Sequence, residues 1–255
     1  MPSRSLMAAN WKMFKTVGES TAYAKELCRR MESWHEEAPE QVICPTLPAL
    51  YTVSRALSQS SVKIGAQSLD LGREGANTGA VSGYLIREAG AAYVIVGHSE
   101  RRQLYGEDDE LVAEKAASAL ASHLIPIICV GETESQRNAG ETDPVVDRQV
   151  TRALQRLTGA ATVVIAYEPL WAIGTGLVPD PSEANRVAGR IRDAVQKIRP
   201  ETTTTVRILY GGSVNRGNIR DFACQPQLDG ALVGGASLDV AHWLDLIKGW
   251  QEVRQ

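Results

Sequence analysis

Short runs of apolar, largely β-branched residues alternate along the chain with longer stretches whose apolar positions recur at helical spacing. The runs cover residues 6–9, 41–44, 62–66, 93–96, 125–130, 163–167, 207–210 and 230–233. Most are apolar at nearly every position, as expected for parallel strands covered on both faces. Between them, residues 19–34 set Tyr23, Leu27, Met31 and Trp34 on one helical face. Residues 109–122 do the same with Leu111, Val112, Ala116, Ala119 and Leu120. Residues 181–198 open with Pro-Ser-Glu, place Ile191, Val195 and Ile198 on one side, and stop at Pro200. Eight strands in strict alternation with helical links predict an α/β protein with a parallel sheet.

Length sharpens this expectation. The 255 residues divide into eight units with no Pro/Gly/Ser-rich linker between them. Each unit is then roughly the size of one βαβ repeat. That favours a single (β/α)8 TIM barrel, one domain over residues 1–255, rather than an open doubly wound sheet. Composition agrees: 44% hydrophobic residues but only 5% aromatic suits a core of Val, Ile, Leu and Ala. A net charge of -3 gives no excess to neutralise phosphates, so no nucleic-acid partner is expected. No apolar run nears the ~18 residues of a membrane span, and no leader is visible, so the chain reads as cytoplasmic. Cys28, Cys44, Cys129 and Cys224 are widely spaced with no C-x-x-C pair, which suggests free thiols in a reducing compartment. The four histidines show no ligand spacing, and neither metal nor cofactor is expected.

Barrel chemistry gathers where strands end. Asn10-Trp11-Lys12 follows the first run, Gly97-His98-Ser99-Glu100-Arg101-Arg102 the fourth, and Glu168-Pro169-Leu170-Trp171 the sixth. Gly211-Gly212-Ser213 and Gly234-Gly235-Ala236-Ser237 follow the seventh and eighth. Paired glycines let backbone N–H groups approach an anion, and barrels often hold phosphate after strands seven and eight. A carboxylate can take a proton from carbon beside a carbonyl, while a neutral imidazole and an ammonium stabilise the oxygen where charge develops. The implied reaction is proton abstraction α to a carbonyl on a small phosphorylated substrate. Gly174-Thr175-Gly176 is no dinucleotide fingerprint, because position 179 is proline.

At these residues the chain resembles the triosephosphate isomerase family. The resemblance is carried by Asn10-Trp11-Lys12-Met13, the stretch Val96 to Arg102, Cys129-Val130-Gly131-Glu132-Thr133 and Ala166-Tyr167-Glu168-Pro169. It continues through Trp171 to Gly176, Tyr210 to Val214 and Val233 to Leu238. It implies interconversion of dihydroxyacetone phosphate and glyceraldehyde 3-phosphate through an enediolate. In the pairing known for that family, Glu168 is the base and neutral His98 the electrophile. Lys12 balances negative charge, and Asn10 holds Lys12 and contacts substrate. Glu100 orients Lys12 or shuttles protons. Amides of Gly174, Ser213, Gly234 and Gly235 hold the phosphate, and Cys129 packs near the glutamate. Residues 171–179 form a closing lid. Thr78, on the loop 67–79, approaches the Asn10 and Lys12 region of a second copy, which implies a homodimer. Trp11 and Trp171 are expected beside the site.

The chain departs from the family pattern in three places. Pro179 stands where the lid's far hinge offers an N–H to the position of Tyr210, so that bond cannot form. Ala80 replaces the interface acid that pairs with the position of Arg101. Phe14 and Asn77 change the packing near the expected interface. Other readings are a related isomerase of a four-carbon sugar phosphate, a glycosidase using Glu168 and Glu100, a Schiff-base enzyme using Lys12, and a binding scaffold without activity.

Overall fold

The computed structural model describes residues 4–31, 38–157, 162–172, 179–200 and 205–254. Eight strands appear in chain order: β1 (Leu6–Asn10), β2 (Glu40–Cys44), β3 (Lys63–Ala66), β4 (Tyr93–Val96), β5 (Ile125–Val130), β6 (Val164–Tyr167), β7 (Arg207–Tyr210) and β8 (Gly230–Val233). Each pairs in parallel with its neighbours, and β8 returns to β1 through Leu6↔Gly230 and Ala8↔Leu232, so the sheet closes into a barrel. The helices are α1 (Val17–Met31), α2 (Leu47–Ala56), α3 (Gly83–Glu88), α4 (Ser99–Tyr105) and α5 (Asp109–Ala121). They continue with α6 (Glu134–Asn138), α7 (Thr142–Gln155), α8 (Pro181–Ile198), α9 (Ile219–Ala223) and α10 (Val240–Arg254). The eight expected runs are the eight strands, to within a residue at each end. Among the described residues, no helix is long and apolar enough to cross a membrane.

Strand alternation sorts the core into two shells, because successive side chains point to opposite faces. Leu6, Ala8, Val42, Ile95, Ile127, Val164, Leu209 and Leu232 fill the barrel interior. Met7, Ala9, Ile43, Val94, Ile128, Ile165, Ile208 and Val233 pack outward against the helices. Each large aliphatic side chain so buried stabilises the fold by roughly 1.5–3 kcal/mol. The same parity corrects one expectation. Asn10 continues the inward series, so Trp11 turns outward and meets Tyr23 of α1 edge-on at 4.7 Å. Trp11 therefore belongs to the outer shell and lies off the site.

The N-terminal end of the barrel is stopped by a polar triad. Arg207 Nη1 donates to Glu40 Oε2 at 2.5 Å and Arg207 Nη2 to the Tyr93 hydroxyl at 2.8 Å. The Tyr93 hydroxyl donates in turn to Glu40 Oε1 at 2.7 Å. Burial opposes charge on Glu40, but the guanidinium and the phenol outweigh it and hold the carboxyl below its ordinary value. Helix starts on the outer ring are capped locally. Asp108 accepts from the N–H of Leu111, Thr133 forms a capping box with Gln136, and Asp180 accepts from Ser182 ahead of Pro181.

Candidate active site

At the C-terminal end the barrel opens into a pocket of about 270 Å³, lined by Asn10, Lys12, His98, Glu168, residues 211–214, Leu232 and residues 234–236. Side chains from five strand ends thus meet at one point. Of the expected site residues, Asn10, Lys12, His98, Glu168, Ser213, Gly234 and Gly235 all line it. Gly174 and most of the expected lid, residues 173–178, lie outside the described residues. Thr78 is exposed on its loop and lies off the pocket.

Lys12 is aimed by its own backbone. Its φ of 52° is left-handed, an uncommon state for a lysine. The turn is fixed because Asn10 Oδ1 accepts the Lys12 N–H at 3.0 Å and Gln67 Nε2 donates to the Lys12 carbonyl at 2.9 Å. The ammonium then reaches Glu100 Oε1 at 2.7 Å. Asn10 thus bonds the Lys12 backbone and Glu100 its ammonium. Gln67 was not foreseen, since a glutamine on a loop has no distinguishing pattern.

His98 caps the N-terminus of α4. Its Nδ1 accepts the Glu100 N–H at 3.2 Å, so that nitrogen carries no proton and the neutral ring bears its hydrogen on Nε2. Nε2 lies 3.2 Å from Glu168 Oε1. The alignment is too poor for a hydrogen bond, and Glu168 Oε1 is left buried without a partner. Glu168 Oε2 instead accepts the Ser99 N–H at 2.8 Å. The carboxylate is thus anchored by one oxygen and free at the other. Ser99 was not anticipated as its anchor, because a backbone donor leaves no signature in residue type.

Room for Glu168 comes from Gly211. A Cβ at that position would fall 2.7 Å from Glu168 Cγ, so even alanine would displace the carboxylate. Cys129 lies in the barrel interior below, where burial and then the adjacent Glu168 push its thiol well above the ordinary value. It is packed there as a neutral thiol. On the far wall, a short 3₁₀ turn, Gly235–Ser237, starts at the pocket. The first N–H groups of such a turn have no partner within it and can bind an anion.

Residues 171 and 172, where the expected lid would begin, are tied to the barrel. Trp171 Nε1 donates to Glu132 Oε1 at 2.9 Å, the Tyr167 hydroxyl donates to the same carboxylate, and Arg137 stacks over the Trp171 ring at 4.0 Å. Ser213 Oγ donates to the Ala172 carbonyl at 3.2 Å. The Tyr210 hydroxyl is buried without a partner, and its ring stacks on Phe222 at 4.0 Å. Its expected partner position is Pro179, which has no N–H to give. Arg101, whose expected partner acid is absent at Ala80, has an acid within its own chain: Arg101 Nε donates to Glu107 Oε1 at 2.5 Å, and Lys115 binds the same oxygen at 2.7 Å.

Residues 5–250 match the family model described as Triosephosphate isomerase. The chain is 43% identical over 248 residues to the triosephosphate isomerase of Dictyoglomus turgidum, covering 96% of this chain and 99% of that protein. It is 45% identical over 245 residues to that of Chloroflexus aurantiacus, covering 95% and 97%. With the protein named triosephosphate isomerase in Endomicrobium trichonymphae it shares 44% over 247 residues, covering 96% and 98%.

Proposed function

Because the chain belongs to the triosephosphate isomerase family, and so interconverts dihydroxyacetone phosphate and glyceraldehyde 3-phosphate, we propose that Glu168 is its base and His98 its electrophile. The observation that carries this assignment is the free Glu168 Oε1, buried and 3.2 Å from the protonated nitrogen of His98. A buried carboxylate oxygen without a donor is costly unless substrate uses it. Glu168 takes a proton from one carbon of the substrate and returns it to the neighbouring carbon. His98 Nε2–H donates to the oxygens of the enediolate as charge moves between them. Lys12 offsets that charge across the pocket, with Asn10 and Glu100 fixing its reach. Gly174, Ser213, Gly234 and Gly235 supply amides to the phosphate. Turnover of glyceraldehyde 3-phosphate by Glu168→Gln tests the assignment: a fall in kcat of about 10²–10⁴-fold supports it, and a variant within tenfold of wild type refutes it.

Dimerisation is part of the same reading. Met13 is 93% exposed and Tyr105 68%, and Phe14, Leu47, Tyr51 and Leu104 are exposed around them. Of these, Met13, Leu47 and Tyr105 line a groove of about 330 Å³ that runs from Lys12 past Leu50 and Leu69 to Arg101. Apolar side chains this exposed on one face mark a docking surface. The occupant is the loop 67–79 of a second copy, with Thr78 near Asn10 and Lys12. The catalytic domain spans residues 1–255 and works in the cytoplasm, in keeping with four free cysteines. Sedimentation as a monomer at micromolar concentration would refute the dimer.

A further inference from the structure

We propose that Arg102 is a positioning residue for the reaction, acting by fixing the backbone pose of His98. The proposal rests on the roles assigned above to Glu168 and His98. Arg102 lies on α4, four residues after the histidine, with its side chain only 13% exposed. Its Nε donates to the Gly97 carbonyl at 2.9 Å. Its own backbone N–H donates to the His98 carbonyl at 3.1 Å. One residue therefore holds the carbonyls on both sides of the His98 Cα. Two peptide planes are pinned, and the imidazole between them is locked by the Glu100 N–H.

The pinned backbone is an unusual one. Gly97 has φ 68°, a left-handed conformation. A Cβ there would lie 2.7 Å from Val112 Cγ2 and 3.3 Å from Arg102 Nη2. The chain leaves β4 through this bend, and the bend aims His98 into the pocket. Nothing in the side chain of a glycine can hold such a bend. The guanidinium does so from outside.

The same guanidinium also spans to the neighbouring strand. Arg102 Nη2 donates to the Cys129 carbonyl of β5 at 3.4 Å, and the next carbonyl along, that of Val130, accepts the Glu168 N–H at 2.7 Å. The scaffolds of acid and base are thus joined through one planar group. Its far side is anchored by Asp109 Oδ1 at 2.7 Å, and Asp109 Oδ2 accepts from Arg148 of α7 at 3.0 Å. Three acceptors in a fork suit arginine, whereas lysine offers a single point of attachment.

The test compares Arg102→Met, Arg102→Lys and Asp109→Asn with wild type in kcat, KM and the ¹⁵N signals of the His98 ring. A displacement near 1 Å in a reacting group costs up to about a hundredfold. Arg102→Met is therefore expected to lose about tenfold to a hundredfold in kcat with little change in KM, and to shift the His98 Nε2–H signal. Arg102→Lys falls between it and wild type, and Asp109→Asn shows the smallest loss in the same direction. If Arg102→Met does not fold, the other two variants carry the test. A folded Arg102 variant with wild-type kcat and an unmoved His98 signal overturns the proposal, even if its melting temperature falls. Full activity in His98→Gln would instead overturn the assignment beneath it.

Discussion

The two ends of the barrel each hold a glutamate in a polar network, one half-buried and one fully buried, and they treat it in opposite ways. At the N-terminal end both oxygens of Glu40 are used, one by Tyr93 and one by Arg207. At the C-terminal end Glu168 is 1% exposed and only one of its oxygens has a donor. The first arrangement is closed on itself. The second leaves an acceptor unsatisfied at the wall of a pocket. A charge whose bonds are complete contributes to the fold and little else. A buried charge with one bond missing is held ready for a substrate, and the remaining network must stabilise the site around it.

The largest effect expected from breaking this contrast is at the closed end. Arg207→Met leaves Glu40 and the Tyr93 hydroxyl without the guanidinium, and for this half-buried pair the loss is up to about 3 kcal/mol. Urea denaturation should show that loss, while kcat of the folded variant stays near wild type. At the open end, His98→Gln should lower kcat by about a hundredfold or more, with little change in the urea midpoint.

A smaller effect follows from pH. Glu40 is held below its ordinary value, despite burial, by Arg207 and Tyr93. Glu107 is likewise lowered against burial, by Lys115 and Arg101. Both bind protons more weakly in the folded chain than in the unfolded one. Their contribution is therefore present above the unfolded carboxyl pKa of about 4.3 and is lost as pH falls through the folded values. Stability measured from pH 7 down to pH 3 should decline in the acid range, and the decline should shrink in Glu40→Gln. The smallest effect belongs to Tyr210→Phe. A hydroxyl without a partner contributes no bond, so stability should change by no more than about 0.5 kcal/mol. Activity should stay within twofold of wild type by the same reasoning. A large loss of kcat would mean that Tyr210 gains a partner during turnover despite Pro179.

Much of this was legible in the residues, and the reasons can be named. Strands such as Arg207–Tyr210 and Gly230–Val233 stood out because both faces are covered, which leaves continuous apolar runs. Helices α4 and α6 span seven and five residues, too short for an amphipathic repeat to show. Asn10, Lys12, His98 and Glu168 were legible because each is a chemically distinctive residue at a strand end. Ser99, Gly211 and Arg102 were not, because they act through an amide, an absence and a pair of carbonyl bonds. Trp11 was misplaced because adjacency in sequence to Asn10 and Lys12 hides the alternation that turns it outward.

The contrast between the ends is tested most directly by measuring glyceraldehyde 3-phosphate turnover and urea midpoints for Glu168→Gln and Glu40→Gln side by side. Glu168→Gln should lose about 10²–10⁴-fold in kcat and keep its midpoint, whereas Glu40→Gln should keep its kcat and lose stability. Turnover by Glu168→Gln within tenfold of wild type would contradict the assignment of the base. Equal stability losses in the two variants would contradict the division of labour between the two ends.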